Sequence, residues 1–407
     1  MATNQSQRVS SSDELPEEMV REILVRLPPR HLLRCRMICQ AWRRLATQHD
    51  LILLHHSRQP AQPLITVAHL AAPRNNCLEA VDLGTNKRRR RRMVARFAER
   101  FPHPRPYSTD HAANLGFFTP DALRVHASCD GLILLSFNDA YFVCNPATRQ
   151  GALLPLLCDG RGEDIAGFYK HHASAEYRVL YHQAKGFDRT YYVLTLGSQE
   201  ARIIEYRTSA PAVIAGLEEG LSSSTGWPPV LFHGSLHWPP QESQKGNMLV
   251  FNTIAESFRW IDPPHEVPEM YNRTRLFEME GTLAMFCPEP QPGRAYLWFL
   301  ADYEEMNWVR KHRVELSVKI VSHPIWFHPV IPYQEGDMLL PESSSNRVWH
   351  CDNTGQLQGS FECSLLDLKI TPHVLKQSLV LHEFLQTQQN GAADEWLSKV
   401  EFADGLQ

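Results

Sequence analysis

The sequence predicts an α+β multidomain protein, in which a small N-terminal module of short helices precedes a mainly antiparallel β-propeller of about six blades. Three observations support this fold class. The first fifty residues carry apolar side chains at helical spacing. The remainder consists of short segments rich in β-branched and aromatic residues, separated by clusters of Gly, Pro, Asn and Asp. Within it a glycine-led pattern recurs with a period of roughly 50 residues, which is typical of propeller blades.

Composition places the chain among globular proteins. Of its 407 residues, 43% are hydrophobic and 21% are charged, so it can bury a substantial core. No apolar run approaches the roughly 18 residues of a membrane span. The nine cysteines form no Cys-x-x-Cys pair, which indicates reduced thiols. We therefore expect a protein of the nucleus or cytoplasm that does not enter a membrane.

The N-terminal module begins with an amphipathic helix. Acidic residues beside Pro16 are typical of a helix start, and Pro28-Pro29 ends the pattern. Its apolar side chains recur at spacing four, at Leu15, Met19, Ile23 and Leu27. A second helical pattern runs from His31 to about Gln48. So few helices make a poor independent core, which favours docking to another protein; packing on the rest of the chain is the alternative.

Apolar and proline residues of this module occur at a fixed spacing, written Leu15-Pro16-x₆-Ile23-Leu24-x-x-Leu27-Pro28 and Leu32-Leu33-Arg34-Cys35-Arg36-x-Ile38-Cys39-Gln40-x-Trp42-Arg43. The motif resembles an F-box over about residues 11–56. The resemblance implies a three-helix module that binds the Skp-type adaptor of a cullin-based ubiquitin ligase. Carried over by position, the adaptor-facing residues are Leu15, Pro16, Ile23, Leu24, Leu27, Pro28, Leu32, Leu33, Cys39 and Trp42.

Four glycines begin repeating units in the C-terminal two thirds. They are Gly131, Gly234, Gly281 and Gly336, spaced by 103, 47 and 55 residues. Because the first interval is about twice the others, we expect a degenerate unit start near Gly186. Each unit continues into a strand that ends in a polar turn beginning at Asn145, Asn252, Asp302 or Asp352.

Small sheets with two faces to bury are stabilised by radial stacking in a closed ring. We predict that residues 64–67 and 378–381 close this ring. A pair of large β-sandwiches is the alternative architecture.

The propeller region also carries motifs of one family. They include Ser128-Cys129-Asp130-Gly131-Leu132, Cys144-Asn145-Pro146-Ala147-Thr148-Arg149-Gln150 and Phe232-His233-Gly234-Ser235-Leu236-His237-Trp238. Over about residues 60–385 the chain resembles the F-box-associated, kelch-like β-propeller domains of plant F-box proteins. The resemblance implies a domain that recruits the protein to be ubiquitylated, without naming that protein.

These patterns divide the chain into five parts. We expect a disordered leader at 1–10, the F-box at 11–56, a linker with the first strands and a basic loop (87–92) at 57–110, the propeller at 111–390 and a tail at 391–407. The basic loop holds Lys87 and five arginines. It is compatible with a nuclear import signal, phosphate contact or a solvated insertion; without interleaved aromatic residues, nucleic-acid binding is disfavoured.

No motif of an enzyme site was found, neither Gly-x-Ser-x-Gly, His-Glu-x-x-His nor a P-loop. We therefore predict no catalytic residue, cofactor or metal. The leading hypothesis is a substrate-recognition subunit of a Skp–cullin–F-box ubiquitin ligase with an unknown target. The alternatives are an F-box scaffold outside the ligase and a propeller enzyme or carbohydrate-binding module. Aromatic residues are common in recognition surfaces, but burial between blades is the favoured explanation for Trp227, Trp238, Tyr271, Trp308 and Trp349, so no substrate-binding residue is assigned.

Overall fold

The structure is a computed structural model. It describes residues 15–69, 75–83, 91–98, 123–137, 140–154, 163–185, 188–206, 211–219, 221, 227–241, 246–264, 271–290, 293–316, 331–333, 336–342, 347–362, 366–386 and 400–402. The predicted leader at 1–10, Gly186, and residues 87–90 of the basic loop lie outside these ranges.

The described part of the N-terminal module contains four helices: α1 (Glu17–Leu24), α2 (Pro29–Cys35), α3 (Gln40–Thr47) and α4 (His49–Arg58). The expected count of three and the single helix from His31 to Gln48 are therefore wrong. The second pattern breaks at Cys39, whose backbone is extended and whose Sγ accepts a hydrogen bond from the Trp42 backbone N–H at 3.4 Å. This side-chain cap starts α3 as a separate helix.

The described strands form six antiparallel sheets, which confirms the predicted six-bladed propeller. Blades 1 to 3 are β4 (Arg124–Cys129), β5 (Leu132–Phe137), β6 (Ala140–Asn145) and β7 (Gln150–Leu153); β8 (Glu163–Lys170), β9 (Tyr177–Lys185), β10 (Asp188–Thr195) and β11 (Ala201–Ile203); and β12 (Val230–Phe232), β13 (Ser235–His237), β14 (Met248–Asn252) and β15 (Ser257–Ile261).

Blades 4 and 5 are β16 (Arg275–Met279), β17 (Thr282–Pro288), β18 (Arg294–Asp302) and β19 (Asn307–Glu315); and β20 (Ile331–Pro332), β21 (Met338–Glu342), β22 (Arg347–Cys351) and β23 (Leu357–Glu362). The closing blade is a five-stranded sheet ordered β24-β1-β2-β3-β25. Its strands are β1 (Ala61–His69), β2 (Asn75–Val81), β3 (Arg91–Ala98), β24 (Leu366–Lys376) and β25 (Val400–Phe402). The innermost strands are β4, β8, β12, β16, β20 and β24. Around the axis, β24 contacts β4 and β20, β4 contacts β8, and β16 contacts β12 and β20.

Three of the predicted glycines, Gly131, Gly234 and Gly281, lie in two-residue turns between the first and second strands of a blade. Gly336 lies in the longer connection between β20 and β21. In blade 1, Asp130 and Gly131 have φ values of 50° and 85°, and His233-Gly234 and Glu280-Gly281 are also both positive. Two-residue hairpin loops with both φ values positive are type I′ turns, which match strand twist and favour Gly at the second position. The glycine repeat is therefore a repeat of hairpin turns.

The predicted polar turns join the third and fourth strands. Asn252 Oδ1 accepts hydrogen bonds from the backbone N–H groups of Ile254 and Ala255 at 2.9 and 2.8 Å. Asp302 Oδ1 does the same for Glu304 and Glu305. Asn and Asp favour such turns because their short side chains bind the backbone two or three residues on. First–second and third–fourth turns project from the same edge of each sheet, so they share one face of the ring.

Two sequence expectations about the propeller are wrong. The unit in the long glycine interval does not start near Gly186; its first turn is residues 171–176, between β8 and β9, where Ala175 adopts φ 56° without a glycine. The C-terminal closing strand is β24, not residues 378–381, which are not in a strand. The N-terminal partner is correct, since β1 contains residues 64–67 and pairs antiparallel with β24.

The closing blade includes strands from outside the range 111–390 that was expected for the propeller. Strands β1 to β3 belong to the propeller, and so does β25, which pairs with β3 from within the expected tail. Arg91 and Arg92, the end of the expected basic loop, open β3. Arg91 Nη1 lies 3.5 Å from Glu79 Oε2 on the neighbouring strand.

The hydrophobic core lies between adjacent blades. Tyr169, Tyr191 and Phe251 fill the space between blades 2 and 3 and are almost completely buried. Two short helices complete the packing: α5 (Pro211–Glu219) lies on blades 2 and 3, and α6 (Glu383–Gln386) lies on blade 1. None of the described helices is long and apolar enough to cross a membrane.

Three buried histidines make the folded state sensitive to acid. Burial lowers the pKa values of His237, His373 and His382 to about 4, so all three are neutral in the folded protein at neutral pH. An unfolded chain takes up protons at histidine below its ordinary pKa of about 6.5. Stability is thus lost as pH falls from about 6.5 towards 4.

We expect the melting temperature to fall between pH 7 and pH 5, because each of these histidines lowers the unfolding free energy by up to about 1.4 kcal/mol per pH unit in that window. His373→Gln should flatten the dependence, while His172→Gln, at an exposed position, should leave it unchanged. Thermal melts at several pH values measure this. Identical pH slopes for wild type and His373→Gln would contradict the assignment.

Candidate functional site

The F-box-like helices enclose a core of their own. Leu24, Leu32, Leu45 and Leu51 are almost completely buried together. Leu27, Leu33 and Trp42 are half-buried against the same cluster. Leu24 and Leu32 have no exposed surface and support the helices from inside, so their predicted contact with an adaptor stays a prediction.

The other predicted residues lie on the outside of the module. Leu15 is 53% and Ile23 40% exposed, and Pro16, Pro28 and Cys39 are exposed as well. Met19, also 53% exposed, lies one turn before Ile23 on the same side of α1, and Leu15 directly precedes the N-cap of this helix. Val20 and Leu24 form the buried side of the same helix. Helix α1 is therefore apolar on two sides, and only one of them is used inside the chain.

The prediction missed further exposed apolar residues on the module. Eleven large apolar side chains are exposed in the described part of the chain, and six of them lie in these helices and their turns: Leu15, Met19, Ile23, Met37, Ile38 and Leu53. Met37 and Ile38 are the most exposed of the six and lie in the turn between α2 and α3. The local sequence contains the signal, because two neighbouring apolar residues in a turn have no helix face to pack on.

Ion pairs tie the helices together on their polar sides. Arg44 on α3 pairs with Glu17 on α1 at 2.7 Å, and Arg58 on α4 pairs with Glu22 on α1 at 3.0 Å. Inside, His55 Nε2 lies 2.8 Å from the carbonyl oxygen of Leu27, and burial lowers the pKa of His55. The chain after α1 is thus held against α4, which keeps the exposed apolar stripe in a fixed position.

The module is joined to the propeller by a connecting segment, residues 377–382, which follows β24. Leu379 is buried in the same core as the helices, and Val380 packs beside it. His56 Nδ1 lies 2.9 Å from the carbonyl oxygen of Gln377, and Asn145 Nδ2 donates to the carbonyl oxygen of Val380 at 3.2 Å. The core of the helical module is therefore completed by residues near the C-terminal end of the propeller.

Asp130, in the first turn of blade 1, is the polar centre of this junction. His56 Nε2 lies 3.9 Å from its Oδ1, the Tyr177 hydroxyl donates to Oδ2 at 2.9 Å, and Lys170 Nζ lies 3.9 Å from Oδ2. Contact with His56, assisted by Tyr177 and Lys170, keeps the pKa of Asp130 below its usual range. The Tyr177 ring meets that of His382 edge-on at 5.1 Å. One carboxylate thus connects the helices, two blades and the connecting segment.

The propeller axis offers a second concave site. A cavity of about 250 Å³ is lined by residues of the innermost strands β4, β8, β12, β16 and β24, by Tyr333 directly after β20, and by Trp227. Glu278 is the one carboxylate among its described lining residues, and its walls are mostly apolar. No group of three His, Cys, Asp or Glu among the described residues could hold a metal ion. The described lining thus forms a mostly apolar cavity with one carboxylate, whereas a glycoside hydrolase uses a pair of carboxylates.

The aromatic candidates divide between the core and the axis. Trp238 and Trp349 are buried between blades. Trp227 lies at the axial cavity, where the Arg275 guanidinium stacks 4.4 Å from its ring centre. Tyr271 and Trp308 are half-buried.

Comparison with known proteins agrees with both parts of the chain. A family model described as the F-box domain matches residues 12–54, and one described as the F-box associated beta propeller domain matches residues 95–348. Both relatives named next are from Arabidopsis thaliana. F-box protein At3g07870 is 30% identical over 41% of this chain and 37% of its own length, and F-box/LRR-repeat protein At2g43260 is 22% identical over 81% and 75%.

The match thus spans little more than a third of the first of these relatives. Among solved structures, the chain is similar to a protein of unknown function from Bacteroides caccae. The TM-score is 0.34 at 12% identity, over 77% of this chain and 99% of that one.

The junction can be tested at Gly131. A Cβ atom there would lie 2.4 Å from Ser378 Cβ and 2.9 Å from the carbonyl oxygen of Lys376, whereas one at Gly281 would meet nothing within 4 Å. Both glycines have positive φ, so both alanine variants bear a similar backbone cost of about 1–2 kcal/mol. We expect Gly131→Ala to lower the unfolding free energy by about 1–3 kcal/mol more than Gly281→Ala, through overpacking.

Thermal unfolding of the two variants measures the difference, and hydrogen exchange locates it. Gly131→Ala should speed exchange in α4 and the connecting segment, while Gly281→Ala should not. Equal losses of stability, with unchanged exchange at the junction, would show that the helices are not held by this turn.

Proposed function

Because the chain belongs to the F-box-associated β-propeller family of plant F-box proteins, we propose that it is the substrate-recognition subunit of a Skp–cullin–F-box ubiquitin ligase. In this proposal the F-box binds a Skp-type adaptor and, through it, a cullin scaffold. The propeller recruits the protein to be ubiquitylated. The observation that carries the proposal is the exposed apolar surface that remains on the helical module although its core is already filled from within this chain.

The exposed surface is too extensive to be incidental for so small a module. Met19 and Ile23 lie along one side of α1, and Leu15 directly precedes this helix. Met37 and Ile38 lie in the turn between α2 and α3. Burying one such side chain against a partner contributes about 1.5–3 kcal/mol. Contiguous apolar surface on an otherwise soluble fold marks a protein interface, and the F-box domain implies that the partner is a Skp-type adaptor.

The domain pair is typical of non-catalytic recognition subunits. In the proposed assembly the ubiquitin chemistry belongs to other subunits, and this chain contributes proximity by holding a target near the transferring enzyme. The firm junction between F-box and propeller supports this role, since a fixed geometry places the target at a defined distance. We place this activity in the nucleus or the cytoplasm.

We expect Ile38→Glu to weaken binding of the full-length protein to a plant Skp-type adaptor about 30-fold or more, because a carboxylate replaces an apolar contact worth about 2 kcal/mol. Ile38 is 62% exposed, so the F-box core should be unaffected. Ile203→Glu is the matched control, at a position 51% exposed on the outer strand of blade 2. Calorimetry with purified proteins measures both affinities.

Full-strength adaptor binding by Ile38→Glu would contradict the position of the interface. Undetectable binding by wild type would contradict the proposed function itself. Melting temperatures of both variants should equal that of wild type, which separates a lost contact from a lost fold.

A further inference from the structure

A cluster of aromatic and apolar residues projects from blades 3 and 4. We call it the aromatic patch; its members are Phe232, His233, Ile254 and Tyr303, whereas Leu231, on the other face of the same strand, lines the axial cavity. The Phe232 and His233 rings stack at 4.3 Å, and the Tyr303 ring lies 4.9 Å from His233 and 5.8 Å from Phe232. His233 is exposed, and Ile254 is 59% exposed.

Buried hydrogen bonds hold the patch in one conformation. His237 Nδ1 lies 3.0 Å from the carbonyl oxygen of Ser235, to which it donates, so Nε2 accepts from the Tyr303 hydroxyl at 2.9 Å. The Thr253 hydroxyl and its backbone N–H both donate to the carbonyl oxygen of Gly234, at 2.6 and 3.0 Å. The turns that carry Tyr303 and Ile254 are thereby fixed beside His233. A surface ordered in advance loses little entropy on binding.

The charge around the patch is acidic on one side. Tyr303 is flanked by Asp302, Glu304 and Glu305, all exposed, and no described cation forms an ion pair with these three carboxylates. In the neighbouring turn, Glu280 pairs with Lys311 at 3.4 Å.

On the opposite side, beyond Ile254, the charge differs. Glu256 is held by two guanidinium groups, that of Arg178 at 2.8 Å and that of Arg202. The unbalanced negative charge therefore lies next to Tyr303 on blade 4 and does not surround the whole patch.

We propose that the aromatic patch binds a basic segment of the target protein, in which lysine or arginine lies next to an apolar side chain. The inference rests on the proposed function and specifies what the propeller recruits. The cation would lie over the Tyr303 ring, whose face attracts positive charge, near the three carboxylates. The apolar side chain would pack on Ile254.

Two other classes of partner fit the surface less well. Nucleic acid is repelled by carboxylates, since its binding depends on basic side chains that neutralise phosphates. An acidic or phosphorylated peptide would meet the same repulsion at blade 4.

The patch shares a face of the ring with the F-box. It is formed by first–second and third–fourth turns, and the corresponding turns of blade 1, at Gly131 and Ala147, contact the connecting segment and the F-box core. A segment bound at the patch would thus lie on the F-box side of the propeller.

The test uses the full-length protein and a displayed library of random 12-residue peptides. Selection on wild type should enrich peptides with lysine or arginine beside an apolar residue. Fluorescence anisotropy with the most enriched synthetic peptide then measures affinity. We expect at least a tenfold loss for Ile254→Glu and for the double variant Glu304→Lys, Glu305→Lys, and no change for Ile203→Glu. The double variant should instead enrich acidic peptides.

Enrichment of acidic or neutral peptides on wild type, equal binding by all variants, or no enrichment at all would each overturn the proposal. The adaptor assay separates this result from the proposed function. Peptide binding without adaptor binding would leave the patch assigned and the ligase role refuted, and adaptor binding without peptide preference would do the reverse. Equal melting temperatures of the variants exclude unfolding as the cause of lost binding.

Discussion

The antiparallel pairing of β1 with β24 is the interaction on which the rest of the structure depends. It closes the ring, because β1 to β3 come from the N-terminal side of the blades and β24 from the C-terminal side. It also positions the F-box from both directions. Helix α4 reaches β1 after only Gln59 and Pro60, and β24 leads directly into the connecting segment that completes the F-box core. Opening this one pair would release the ring and the F-box together.

Much of this architecture follows from short-range chemistry that the sequence displays. Type I′ turns need glycine at their second position, and Asx turns need Asn or Asp at their first, so each blade repeats its own turn residues. That is why the blade number and the family could be predicted. Blade 2 lacks this glycine because the turn between β8 and β9 is longer and Ala175 adopts the positive φ there.

The remaining errors concern long-range packing. Residues 378–381 have a strand-like composition, yet Leu379 is apolar because it enters the F-box core, and no local pattern reveals a partner more than three hundred residues away. In the same way, spacing showed that α1 is amphipathic without showing which apolar residues turn inward. Leu24 and Ile23 are neighbours in the same motif, and only the packed helices separate core from surface. The aromatic patch was missed because its residues come from three turns on two blades.

The dependence of the F-box core on Leu379 has a consequence for synthesis on the ribosome. The F-box emerges before the propeller, but its core stays unfinished until Leu379 has been made. A product of premature termination would carry the exposed apolar side chains of α1 while lacking both the closing strand β24 and the leucine that completes the core of the helices. Under the proposed function, adaptor binding would then belong mainly to molecules that also possess a finished propeller. Truncated chains without a target site would rarely occupy the ligase.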